Sequence, residues 1–128
     1  GRGLLILGQS GSGKSTLALA LCAFGAQIIC DDAVWLVDQN GTLILHRPDG
    51  APDLIEARGI GLLRAGPVIG HAPLAYVVDL DRAEPDRLPP RRLVAYGEGQ
   101  AALTLGAGHP TLAAPLLHLM RHGRAHPS

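Results

Sequence analysis

Aromatic side chains are nearly missing from this chain: one Trp, one Phe and two Tyr in 128 residues, 3% of the total. That leaves little for base stacking, on which single-stranded nucleic acids are commonly bound. An excess of positive charge is missing too. Eleven Lys and Arg face eleven Asp and Glu for a formal net charge of zero, which argues against a nucleic-acid-binding surface. The two cysteines, Cys22 and Cys30, are too few for a disulfide framework or a metal cluster and read as buried thiols. No apolar run approaches the roughly 20 residues needed to span a bilayer, and no signal peptide is recognisable. No membrane association and a cytoplasmic location are therefore expected.

The composition that remains, 47% apolar and 17% charged, is that of a globular chain. The length suits one domain, 1–128, able to bury roughly two-thirds of its unfolded surface. Lys14 is the only lysine; every other basic residue is Arg.

That lysine stands in Gly8-Gln9-Ser10-Gly11-Ser12-Gly13-Lys14-Ser15, which fits G-x-x-x-x-G-K-[ST]. The apolar run Leu4-Leu5-Ile6-Leu7 precedes it, and the helix-forming run Thr16 to Leu21 follows. Strand, glycine loop and helix form the confirming context of a P-loop (Walker A). Glycines let main-chain N–H groups converge on a phosphate, and the helix adds its positive N-terminal end. Lys14 is expected to reach the β and γ phosphates of a nucleotide, and Ser15 to ligate Mg²⁺. The chain goes directly from Gly1-Arg2-Gly3 into the P-loop strand, so an upstream segment is expected to be missing.

The first helix is expected over about Lys14 to Phe24, stopped by Gly25. Ala26 to Cys30 then reads as a short buried strand ending in Asp31-Asp32. Asn40-Gly41 between Ala33–Val37 and Thr42–His46 signals a hairpin with a type I′ turn. Leu74 to Leu80 reads as a buried strand. Asp81 to Arg92, with Pro85, Pro89 and Pro90, reads as an exposed, mobile loop. Short strands are expected over Leu93 to Tyr96 and Ala101 to Leu105. A last helix is expected from about Pro110 to His122, with Pro115 counting against its early part. His118, His122 and His126 stand four apart, a spacing able to bind zinc. Gly123 is expected to end the helix before His126, leaving a polar tail.

Asp31-Asp32 falls where a strand would empty beside the P-loop, the end at which open α/β sheets bind ligands. Two adjacent carboxylates there can divide two tasks, one near a metal and one taking a proton from an attacking hydroxyl. Their mutual repulsion would raise one pKa. Asp79, also ending an apolar strand, is an alternative Walker-B residue; spacing alone does not choose between them. Glu56 and Arg58, two apart, face the same way on an extended backbone. With Gly59 and Gly61 permitting close approach, they can serve Mg²⁺ and a phosphate, or form an ordinary ion pair.

The order GQSGSGKS, CDDAV, IEARGIGLL resembles HPr kinase/phosphorylase over roughly Gly1 to Leu88. The resemblance implies a P-loop kinase-type α/β domain, PEP carboxykinase-like, with a mixed sheet and flanking helices. It implies ATP and Mg²⁺ as cofactors, held by the P-loop from Gly8 to Thr16 with Arg58 and Gly59. Lys14 and Ser15 would hold phosphate and metal. Asp31 would be the catalytic carboxylate, a base in the kinase direction and an acid in phosphorolysis. Asp32 would stand beside it at the metal, and Glu56 would be a further metal contact. Arg87, in the charged loop, would match an arginine that aids phosphorolysis, and Asp79 would become a structural strand end. The implied substrate is a serine of the phosphocarrier protein HPr, and the implied assembly a hexamer. Two alternatives stand beside this: a nucleotide-binding regulatory module without turnover, and a kinase of the same fold with another substrate.

Overall fold

The computed structural model of the chain describes residues 1–125. In chain order the elements are β1 (Gly3–Leu7), α1 (Lys14–Ala23), β2 (Trp35–Gln39), β3 (Thr42–His46), β4 (Leu54–Ala57), β5 (Gly61–Arg64), β6 (His71–Asp79), β7 (Leu93–Tyr96), β8 (Gly99–Leu105) and α2 (Ala113–His122). The expected mixed sheet is present, and β6 organises it. Its first residues, His71 to Pro73, pair antiparallel with β3; from Leu74 to Asp79 it runs parallel to β1, and from Tyr76 also to β8. β2 and β7 close the two ends antiparallel, while β4 and β5 form a separate hairpin.

Successive side chains on β6 point to opposite faces, and both faces are covered. Val77 packs with Leu43, Leu45, Leu74 and Ala101 on one side, under the curl of β2 and β3. Val78 packs with Leu17, Leu21 and Leu116 on the other, under α1 and α2. Both helices thus lie on one face. The C-terminal turn of α2 is tied down at that end. Arg2 Nη1 donates to the Met120 carbonyl at 2.8 Å, and Arg121 Nη2 to the Phe24 carbonyl, the residue capping α1, at 3.0 Å.

The Asn40-Gly41 turn is as expected, with φ of 56° and 90° at the two residues, as a type I′ turn requires. Three expectations are corrected. Ala26 to Cys30 is not a strand: only Ile28 bridges, to Val68. Its carbonyl groups go elsewhere, that of Ile28 to the Ile69 amide and that of Ile29 to Arg47 Nη1. The last helix starts at Ala113 rather than Pro110, and Pro115 sits inside its first turn, where a missing N–H leaves no helical bond unmade. The segment Asp81 to Arg92 is exposed over most of its length, as expected, and is strapped at two points: Glu84 accepts from Arg92 Nε and Nη2 at 3.0 and 2.8 Å, and Ala83 bridges Gly106. Cys22 and Cys30 are free and half-buried rather than buried.

The rings of His118 and His122 are 4.6 Å apart on α2. His126 lies outside the described residues, and among those residues no group of three or more His, Cys, Asp or Glu is placed to hold a metal. No helix among them is long and apolar enough to cross a membrane.

Candidate active site

β1 ends at Leu7, and the loop Gly8 to Gly13 delivers the chain to α1 at Lys14. Gly11 and Gly13 hold φ of 85° and 98°, the left-handed region that turns neighbouring amides toward one concavity. Gly8 is needed for space, since a Cβ there would stand 2.2 Å from Ser12 Oγ. Lys14 Nζ donates to the Gly8 carbonyl and, at 3.2 Å, to the Gln9 carbonyl, so its ammonium is held against the loop itself. Ser12 Oγ is buried with no hydrogen-bond partner among the described residues.

The three sequence motifs meet at Asp31. Ser15 Oγ donates to its Oδ1 at 2.8 Å and lies 3.1 Å from Oδ2. The Glu56 amide donates to Oδ2 at 3.3 Å. Arg58 lies over the P-loop, with Nη2 3.8 Å from where a Cβ on Gly11 would be. Asp31 is half-buried, whereas Asp32 and the Glu56 side chain are exposed. Gln9, Ser10 and Thr16 are exposed along the loop and the first turn of α1.

A Cβ at Gly59 or Gly61 would meet no protein atom within 4 Å, so close protein packing requires neither glycine. Their φ of 81° and 134° instead set the turn between β4 and β5. Arg87 is exposed and lines a cleft with Glu84, Asp86 and Pro89 that none of the P-loop residues enters. The lining of that cleft includes neither Ser15 nor Asp31.

Asp79 has a different connection. Its Oδ1 accepts from the Asp81 amide at 2.9 Å, and both carboxylate oxygens of Asp81 accept from the Gln9 amide at 3.1 and 3.0 Å. Asp79 thus supports the P-loop through Asp81, and it is Asp31 that touches Ser15. Sequence reasoning missed Asp81; the available signal was a second Asp two residues after the end of a buried strand.

The donor set suits the cofactors expected here. A hydroxyl and a carboxylate are hard oxygen donors of the kind Mg²⁺ takes from a protein while phosphates and water complete its shell. The left-handed glycines shape an anion cradle at the start of α1, where the helix end adds positive potential.

With these parts gathered beyond the carboxyl ends of parallel β1 and β6, the chain is a P-loop domain of the kinase type. The comparisons narrow the class. Residues 1–81 match the HPr Serine kinase C-terminal domain, and the chain belongs to that family. It is 34% identical over 119 residues to the HPr kinase/phosphorylase of Azoarcus sp. (strain BH72), a match taking in 88% of this chain and 38% of that one. With the HPr kinase/phosphorylase of Clostridium botulinum (strain Eklund 17B / Type B) the identity is 46% over 63 residues, covering 49% and 21%. The structure of the Hpr(Ser) kinase/phosphatase from Coxiella burnetii superposes with a TM-score of 0.76 at 28% identity, over 94% of this chain and 86% of that one. The chain spans less than two-fifths of the length of these two curated relatives. Arg87 lies beyond the residues that the family model matches.

Proposed function

We propose that this domain catalyses Mg²⁺-dependent phosphoryl transfer from ATP to a serine of the phosphocarrier protein HPr, and also removes that group by phosphorolysis, in which inorganic phosphate attacks the phosphoserine to give pyrophosphate and the free serine hydroxyl. The observation that carries the proposal is the 2.8 Å contact between Ser15 and Asp31 at the mouth of the P-loop. It joins the phosphate cradle to a carboxylate, the two parts such a transfer needs from the protein. Bound Mg²⁺ would supply charge neutralisation on the donor's phosphates.

The chain's own residues have distinct tasks. Main-chain amides between Ser10 and Ser15 bind the phosphates, those of Gln9 and Ser12 being engaged with Asp81 and the Gln9 carbonyl, and Lys14 leaves its loop carbonyls to neutralise them. Ser15, Asp32 and Glu56 offer oxygen to the metal. Asp31 accepts the proton of the attacking seryl hydroxyl and returns it in the reverse direction, a role worth about 10²–10⁴ in rate. Arg58, over Gly11, adds positive charge at the same mouth. Ile60 and Leu62, 77% and 69% exposed on the β4–β5 hairpin next to Arg58, support a protein rather than a small-molecule acceptor. Arg87 would assist phosphorolysis, and Arg87→Ala is expected to slow that direction more than the kinase direction. A hexamer is the proposed assembly, to be measured by light scattering.

The test is incubation with ATP labelled in its γ phosphate and purified HPr, followed by location of the label. Transfer to a serine by the wild type, lost in Asp31→Asn with ATP affinity retained, supports the proposal. Binding of ATP with no transfer by the wild type would replace it with a regulatory module.

A further inference from the structure

Two histidines on α2 take no part in the chemistry proposed above. His118 and His122 stand four apart, one above the other on a single face of the helix. Both are exposed. Their ring centroids lie 4.6 Å apart, with the planes tilted by 48°. A metal ion bound to imidazole lies in the plane of the ring, about 2.0–2.1 Å from the nitrogen. Two imidazoles that share one ion at right or tetrahedral angles therefore have centroids roughly 4.5–5 Å apart. The pair on α2 already has that spacing.

Another close pair supplies a contrast. His46 and His71 face each other across β3 and β6, and their rings are stacked, 5.7 Å apart and within 25° of parallel. Lone pairs in two nearly parallel planes run side by side and do not converge on one ion. The surroundings of the α2 pair accept a cation. The helix ends at His122, so both rings stand in its last two turns, where the negative end of the helix dipole favours positive charge. The nearby arginines are each occupied with a carbonyl, Arg2 with that of Met120, Arg121 with that of Phe24 and Arg124 with that of Pro89.

We infer that His118 and His122 chelate one divalent transition-metal ion of the kind that prefers imidazole, such as Zn²⁺, Ni²⁺ or Cu²⁺, with water completing its shell. This ion is distinct from the Mg²⁺ proposed at Ser15 and Asp31, which takes oxygen donors. It ties the middle of α2 to its final residue, over the stretch that Arg2 and Arg121 fasten to β1 and α1. Because the two rings meet only on a formed helix, binding stabilises the folded chain.

Titration of the whole chain with Zn²⁺ in excess Mg²⁺, followed by NMR of the histidine rings, tests it. The His118 and His122 signals are expected to move along one shared saturation curve, and a chelator to return them. His118→Ala is expected to weaken Zn²⁺ binding at His122 by about tenfold or more, and His122→Ala to do the same at His118, since one imidazole forms no chelate. Zn²⁺ is also expected to raise the melting temperature of the wild type and of His46→Ala, and not that of either α2 variant. Alanine at these exposed helical positions keeps α2 formed, which circular dichroism checks. Saturation of the two rings at different Zn²⁺ concentrations overturns the inference. So does saturation of His46 and His71 ahead of them, or an affinity at His122 that His118→Ala leaves unchanged.

Discussion

Asp81 spends both carboxylate oxygens on one main-chain amide, that of Gln9, across 72 positions of sequence. A charged acceptor on a loop amide shapes the loop more strongly than a neutral one would. Asp81→Ala is expected to speed exchange of the Gln9 amide proton by at least tenfold while the amide of Val77, in the core of β6, keeps its protection; hydrogen-exchange NMR reads both. Equal exchange at Gln9 in the two proteins would show that the contact does not hold the loop in solution. Gly8 acts at the same scale. A Cβ there would fall 2.2 Å from Ser12 Oγ, which can rotate, but also 3.0 Å from Ser12 Cβ and 3.3 Å from Leu80 Cβ, which cannot. Gly8→Ala is expected to lower tripolyphosphate affinity by about tenfold or more with far-ultraviolet circular dichroism unchanged, because the loop has to widen while the helices stay formed.

Among the elements, the strap between β6 and β7 combines the Ala83–Gly106 bridge with the ion pair of Glu84 and Arg92. The two hydrogen bonds from Arg92 hold the Glu84 carboxyl below the usual carboxylate range, with the Asp86 amide and the neighbouring positive charges acting the same way. A carboxylate whose pKa is depressed on folding contributes stability above its unfolded pKa, about 4.3 for Glu, and loses it as the pH falls through the lower folded value. The melting temperature of Glu84→Gln is therefore expected to lie below that of the wild type at pH 7 and to converge with it as the solution is acidified below about pH 4. A gap that stays constant into acid would rule out the ion pair as its cause. On α1, burial pushes the Cys22 thiol up. Less thiolate at neutral pH means slow reaction with a disulfide reagent. Cys22 is expected to react several-fold more slowly than a free thiol at pH 7.5 and to reach the free-thiol rate in denaturant.

For the molecule as a whole, stability concentrates where β3, β6 and β8 meet. Leu45 is 1% exposed there, and Leu45→Ala is expected to cost about 2–5 kcal/mol in urea unfolding. How much of this was legible beforehand follows the reach of each interaction. The P-loop and the Asn40-Gly41 turn are built from near neighbours in sequence, so residue type and spacing sufficed. Asp31 could be singled out, but preferring it to Asp79 needed the contact with Ser15 and the separate bond from Asp79 to Asp81. Ala26 to Cys30 has the apolar pattern of a strand without a ladder to join, because competition for sheet positions is settled by the whole fold. Asp81, Gly106 and the strap from Glu84 depend on partners that no local periodicity records. One consequence follows from the two arginines that bind the last turn of α2 to the start of β1 and the end of α1. They clamp α1 at its heel, like a cantilever whose free tip grips the phosphates. Stiffening on ligand binding is then expected to show in backbone relaxation from Ser12 to Leu17 and to fade before Leu21, leaving the anchored end as quiet as it was.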